Sequence, residues 1–310
     1  MNRHNFLKII NIILLIMMIN SSSYSQKEVS QIASWSSTLF KDYRVRPDIN
    51  YLTIDGWKGE LDLYLPTTSN SPTPTLLYFH GGGWYTGDKD EPILRLLPYL
   101  EMGWAVVNVE YRIASVSLAP AAVEDCRFAL AWIIDNAKRY NLDPDKIVVS
   151  GHSAGGHLAL ITAMLTPSAG FDSHYSKKIN LRVAAVINWY GITDVEDLIE
   201  GENNQQYALN WIGNQPNKKD LAKKVSPLNY IRPNLPPILT IHGDSDSLVP
   251  YEHAVRLHHS LTKAGVPNKL LTIPNGPHGP FSRMETKLAQ ETITEFLQLH
   301  GLTRIGGDNR

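Results

Sequence analysis

Residues 146–155 read KIVVSGHSAG, and the reading of this stretch decides the fold. Residues 146–150 (KIVVS) form a short β-branched run of the kind buried on both faces of a parallel sheet. Gly151-His152-Ser153-Ala154-Gly155 follows at once, and residues 157–164 (HLALITAM) suit a helix. A bare G-x-S-x-G arises often by chance and then marks only a tight turn. Between a strand and a helix the same five residues are expected to form a nucleophile elbow. The strained turn lifts the serine Oγ clear of the backbone, and the flanking glycines let strand and helix approach where a Cβ would clash. Ser153 is the expected nucleophile.

Working outward, strand-like and helix-like runs alternate. Residues 50–55 and 60–65 flank Gly56-Trp57-Lys58-Gly59 as an expected antiparallel hairpin. Residues 75–79, 105–110, 183–189, 237–241 and 269–273 read as further strands. Helices are expected over 91–102, 252–264 and 286–300, and over 120–140, where Val123, Cys126, Leu130, Ile133, Ala137 and Tyr140 recur at helical spacing. Residues 141–145 are expected to turn the chain into the organising strand. The pattern predicts one α/β domain over residues 26–303, built on a mostly parallel sheet with helices on both faces. Residues 190–236 are too long for a simple connection. They are expected to form a small cap with helices over 197–211 and 218–225.

An alkoxide at Ser153 needs a base, a group to orient that base, and donors for the oxyanion. His80-Gly81-Gly82-Gly83-Trp84 directly follows a buried strand, and its glycines free backbone N–H groups to point at a ligand. The expected oxyanion donors are Gly82, Gly83 and Ala154. For the acid, the run 242–250 (HGDSDSLVP) after a strand favours Asp246, with Asp244 and Asp194 as alternatives. For the base, His278 stands in the loop 274–280 (PNGPHGP) after the last strand, while His80, His152 and His242 sit beside motif glycines where a supporting hydrogen bond is expected. The order Ser153, Asp246, His278 is that of the G-x-S-x-G hydrolases. Trp84, Trp189 and Tyr190 are candidate pocket-lining residues. No metal-binding motif occurs, and no cofactor is expected.

Composition bounds the rest. The chain has 310 residues, 43% hydrophobic and 19% charged, enough for a sizeable core. A net charge of −1, from 29 basic and 30 acidic residues, offers no footprint for nucleic acid or an anionic membrane. Residues 1–25 read as a secretory signal: Arg3 and Lys8, then an apolar run of about eleven residues, then Ser23-Tyr24-Ser25 before Gln26. That run is short of the roughly twenty residues needed to span a bilayer, so cleaved export to the periplasm or outside is expected, without a stable membrane anchor. The single cysteine, Cys126, excludes an intramolecular disulfide framework. Residues 304–310 are expected to be a flexible tail.

Taken together, HGGGW at 80–84, GHSAGG at 151–156, HGDSDSLVP at 242–250 and GPHG at 276–279 resemble the α/β-hydrolase superfamily over nearly the whole expected mature length. The chain looks most like the HGGG-bearing esterases related to hormone-sensitive lipase, and within them like the compact bacterial feruloyl-esterase-like carboxylesterases. Its acid run is similar to the H-G-x-x-D-x-x-V-P form of many peptidase-like and carbohydrate-ester hydrolases. The resemblance implies an eight-stranded α/β-hydrolase sheet and cofactor-free hydrolysis of a small-molecule or oligosaccharide ester, of short-acyl, acetyl or feruloyl type. An exported serine peptidase of the prolyl-oligopeptidase-like kind and a noncatalytic binding protein on a hydrolase scaffold stay open as alternatives.

Overall fold

The computed structural model describes residues 41–69, 71–172 and 181–303. The expected signal, the start of the expected domain at Gln26 and the tail 304–310 lie outside these residues. The chain divides into two compact units, Met1–Arg44 and Val45–Arg310, and the site lies in the second. Among the described residues eight strands form one sheet: β1 (Tyr43–Ile54), β2 (Trp57–Pro66), β3 (Thr73–Phe79), β4 (Ala105–Val109), β5 (Leu142–His152), β6 (Ala185–Trp189), β7 (Ile238–Gly243) and β8 (Asn268–Ile273). Their order is β1-β2-β4-β3-β5-β6-β7-β8. β2 pairs antiparallel with β4, and every pairing from β4 to β8 is parallel, as expected of this sheet. The connecting helices are α1 (Ile93–Glu101), α2 (Ala121–Tyr140), α3 (Ala154–Met164), α4 (Gln206–Ile212), α5 (Lys218–Lys224), α6 (Glu252–Lys263) and α7 (Arg283–Leu299).

This order fixes where a site forms. From β3 the chain crosses to β4 on one side, then returns past β3 to β5 on the other. In an open parallel sheet such a reversal leaves a crevice at the carboxyl ends of the two strands, where ligands bind. β3 runs into the HGGGW turn and β5 into the G-x-S-x-G turn, with Phe79 directly opposite Gly151. Ile147, Val148 and Val149 have no accessible surface, and α3 is buried along almost its whole length. Each such side chain contributes about 1.5–3 kcal/mol, so the strand and helix that present Ser153 are among the best-anchored parts of the molecule.

Several boundaries differ from the sequence reading. The hairpin turn is Asp55-Gly56, both at positive φ (48° and 82°), and Trp57 to Gly59 belong to β2. Two such residues match the twist of paired strands. The expected turn at 141–145 lies largely inside β5 as an irregularity: Thr73 faces Leu142 but Thr75 faces Ile147, and the Asp145 N–H donates to Asp143 Oδ1 at 3.0 Å. α7 starts three residues earlier than expected because Ser282 and Glu285 form a reciprocal capping box. The helix expected over 197–211 is only α4. Gly201, at φ 80°, and a turn in which Asp194 Oδ1 accepts the Asp197 N–H occupy the first half.

Four enclosed histidines give the fold an acid limit. Burial is the main cause that lowers His80 to about 4, His152 to about 3, His157 to about 4 and His258 to about 4, from an ordinary 6.5. Below about pH 6.5 the unfolded chain takes up these protons first, so stability rises with pH across that window. Urea unfolding should therefore lose free energy steadily between pH 6.5 and pH 4. A constant value over that range would contradict the burial of neutral rings.

Candidate active site

The G-x-S-x-G turn is built by backbone contact. Ser153 has φ 55° and ψ −121°, a conformation that costs on the order of 1–3 kcal/mol in a non-glycine residue. It is held by bonds on both sides: its N–H donates to Trp189 O at 2.9 Å and its carbonyl accepts the His157 N–H at 3.0 Å. A Cβ on Gly155 would collide with the carbonyl oxygens of Phe79 and His80, and one on Gly151 with the Gly155 carbonyl. α3 therefore starts hard against the end of β3, which only glycine permits.

Ser153, His278 and Asp246 lie in one hydrogen-bonded row. The Ser153 hydroxyl donates to His278 Nε2 at 2.8 Å, and His278 Nδ1 donates to Asp246 Oδ2 at 2.7 Å. The tautomer follows from the partners: an ionised carboxylate only accepts, so Nδ1 carries the proton and Nε2 is free to take one. Burial pushes the Asp246 carboxyl up. Hydrogen bonds from His242 and His278, the attraction of the His278 ring and the Val249 N–H outweigh it and hold the group well below the ordinary carboxylate range. The Asp246 side chain is fully buried, and every acceptor direction is used: Oδ1 takes the N–H groups of Leu248 (2.8 Å) and Val249 (2.9 Å), and Oδ2 takes His242 Nε2 at 3.1 Å beside His278. His242 Nε2 also faces Val249 O at 3.1 Å. Both neighbours are acceptors, so Nε2 carries the proton. Of the alternative acids, Asp194 pairs with Arg256 at 2.8 Å, and Asp244 accepts the Asn275 N–H at 2.6 Å.

The glycine turn stands beside this row. Gly82 has φ 102° and Gly83 φ 61°, and the Gly82 carbonyl accepts the N–H groups of Tyr85 and Thr86, both at 3.0 Å. A Cβ on Gly82 would strike the Thr86 carbonyl, and one on Gly81 would lie 2.6 Å from His152 Nε2. Among the described residues no acceptor engages the N–H groups of Gly82 or Gly83. Ala154 opens α3, where the first N–H groups have no intrahelical acceptor. His80 and His152 support the turn: His80 Nδ1 donates to Gly81 O at 2.8 Å and its ring stacks on Tyr111 at 4.2 Å, while His152 Nδ1 meets Tyr78 Oη at 2.9 Å.

The three aromatic candidates take different places. Trp84 has no accessible surface. Its indole N–H donates to His157 Nδ1 at 3.2 Å and its ring stacks on Trp211 at 4.1 Å, so it packs behind the glycine turn and does not line a pocket. A positive φ of 60° turns its side chain inward. Tyr190, at φ 39°, sets its ring 4.7 Å from the His278 ring, and Phe281 packs against both Tyr190 and Trp189. Arg95 Nη2 donates to Tyr190 Oη at 2.8 Å, and its guanidinium lies 5.6 Å from the Trp189 ring. Sequence reading missed Arg95, the one cation of an amphipathic helix with no motif around it. Residues of the 190–236 segment border the turn and the acid loop alike: Tyr207 would be 3.0 Å from a Cβ on Gly83, and its Oη donates to Leu248 O at 2.9 Å.

Comparison with known proteins finds esterases among the relatives in sequence and in fold. The probable carboxylic ester hydrolase LipM of Mycobacterium tuberculosis is 31% identical over 227 residues, covering 70% of this chain and 51% of LipM. The esterase LipQ of the same organism is 26% identical over 243 residues, 75% of this chain and 57% of LipQ. The chain thus spans about half the length of the curated relatives it matches. Among solved structures, esterase Est2 of Thermogutta terrifontis superposes with a TM-score of 0.73 at 26% identity, over 86% of this chain and 95% of Est2. Forms of Est2 with propionate and with butyrate bound match equally, at a TM-score of 0.73. Residues 61–261 match the family described as BD-FAE, and the chain belongs to that family.

Proposed function

We propose that the protein is a serine carboxylic ester hydrolase acting on short-acyl or carbohydrate-linked esters, with Ser153, His278 and Asp246 as its catalytic triad. The observation that carries the reading is the row from Ser153 Oγ to His278 (2.8 Å) to Asp246 (2.7 Å), on a serine at positive φ at the sheet's switch point. Ser153 Oγ attacks the ester carbonyl carbon as His278 Nε2 takes its proton. Asp246 holds the ring and stabilises the imidazolium. The N–H groups of Gly82, Gly83 and Ala154 receive the oxyanion. His278 returns the proton to the departing alcohol, leaving Ser153 acylated. A water that gives its proton to the same nitrogen then attacks the acyl carbon; the bond to Ser153 Oγ breaks, His278 returns the proton to Oγ, and the acid leaves.

His242 is a positioning residue in this scheme. It donates to the same Asp246 oxygen as His278, so the carboxylate is steered from two sides.

The choice of short acyl groups is supported by the propionate- and butyrate-bound forms of Est2 and by the short helices of residues 190–236, read as a small cap. Acetyl or feruloyl esters on plant polysaccharide fragments are the preferred natural substrates, met by an enzyme exported through residues 1–25.

With p-nitrophenyl esters from acetate to decanoate, kcat/KM should fall steeply beyond butyrate. S153A should lower kcat on the order of 10⁶-fold and D246N on the order of 10⁴-fold. Turnover by S153A close to that of the parent protein would remove the serine mechanism. His242→Phe should lower kcat by roughly tenfold to a hundredfold with little change in KM, because the base is misaligned while the acyl site is intact. A change confined to KM would remove the positioning role. Amino-terminal sequencing of the protein from its own cells should read from Gln26, whereas a chain still starting at Met1 in the cytoplasm would end the export reading.

A further inference from the structure

Arg95 stands in the first turn of α1, the helix that follows the glycine turn. Its guanidinium carbon lies 5.6 Å from the Trp189 ring and 5.9 Å from the Tyr190 ring, with one N–H on Tyr190 Oη at 2.8 Å. That is its one side-chain hydrogen bond among the described residues, and no described carboxylate comes within 4.0 Å of it. Glu91, one turn earlier in the chain, instead sets its Oε2 beside Gly87, 3.4 Å from where a Cβ would be. A guanidinium carries five N–H donors in a rigid fork. Here aromatic rings and one phenol take up part of it, and the remaining edge of a half-buried cation is left for another acceptor. The Tyr190 ring that holds Arg95 is the same ring that packs 4.7 Å from His278, so the cation stands one aromatic ring from the base that engages Ser153. Its field reaches the turn: after burial, Arg95 is the next largest cause that keeps His152 neutral.

We infer that Arg95 is an anion anchor of this site, and that the preferred ester carries a carboxylate on its acyl or its alcohol part. The inference rests on the ester-hydrolase reading above. The bond to Tyr190 Oη and the two neighbouring rings locate the guanidinium, and its fork of N–H donors matches the two oxygens of a carboxylate, which a lysine would meet only as a point charge. A neutral ester of the same shape leaves those donors to water.

The test compares isosteric pairs. Monoethyl succinate against ethyl succinamate places the charge on the acyl part; 4-acetoxybenzoate against 4-acetoxybenzamide places it on the alcohol part. In at least one pair, kcat/KM for the anion should exceed that for the amide by roughly tenfold or more, the size of one charge-assisted hydrogen bond. The ratio should collapse towards one in R95M, recover in part in R95K, and fall with added salt in the unmutated protein, a readout that needs no variant to fold. The pair that responds names the side of the ester that carries the charge. A ratio that R95M and salt leave unchanged in both pairs overturns the anchor.

Should no ester be turned over, the hydrolase reading fails, and the anchor is judged by calorimetric binding of monoethyl succinate to S153A and to S153A/R95M. Binding at least tenfold weaker in the double variant supports the anchor, and equal binding or none overturns it.

Discussion

Backbone pressed on backbone at Gly155 is the constraint from which the rest of this site follows. The first turn of α3 sits against the carbonyls of Phe79 and His80, so close that no side chain fits between them. That contact ties the end of β5 to the end of β3, the two strands between which the chain reverses its direction across the sheet. Ser153, two residues before this contact, has a positive φ of 55°. The strain persists because both its N–H and its carbonyl are bonded and because residues 147–151 of β5 and nearly all of α3 are buried.

Charge in the site is sparse. His80 and His152 are kept neutral chiefly by burial, so they shape the glycine turn without competing for an anion. Asp246 is the fixed negative group. It is buried but met by four donors, two from its own loop and two from histidines, which is what makes an ionised carboxylate tolerable there. Arg95 is the positive group, hydrogen-bonded to Tyr190 Oη. One tyrosine ring thus neighbours both the cation and the histidine of the Asp246–His278 pair.

Much of the fold was legible because its signals are local. Buried β-branched runs, the spacing of Val123, Cys126, Leu130 and Ile133, and glycines at strand ends each depend on neighbours in the chain. Ser153, Asp246 and His278 could be named because each stands in the turn or loop after a strand of the parallel sheet, and a parallel sheet gathers its strand ends on one edge. The capping box at Ser282 and Glu285 was present in the sequence and went unread. Other features had no local signal. Trp84 looked like a pocket residue beside a glycine turn, yet its positive φ sends the indole into Trp211, more than a hundred residues away in the chain. The helix expected from residue 197 gave way to a turn because Asp197 is held by His253 (3.0 Å) and Arg256 (3.1 Å) on α6. Arg95 acquires its meaning only from Trp189 and Tyr190, which reach it across the sheet edge.

The central claim is that Ser153 is a nucleophile activated by its neighbours, and covalent trapping tests it most directly. Incubating the protein with paraoxon and mapping its peptides by mass spectrometry should find a single diethylphosphoryl group on the peptide containing GHSAG, with labelling blocked in a His278→Ala variant that still folds. No adduct on a folded protein, or an adduct on another residue with Ser153 unmodified, would contradict the account.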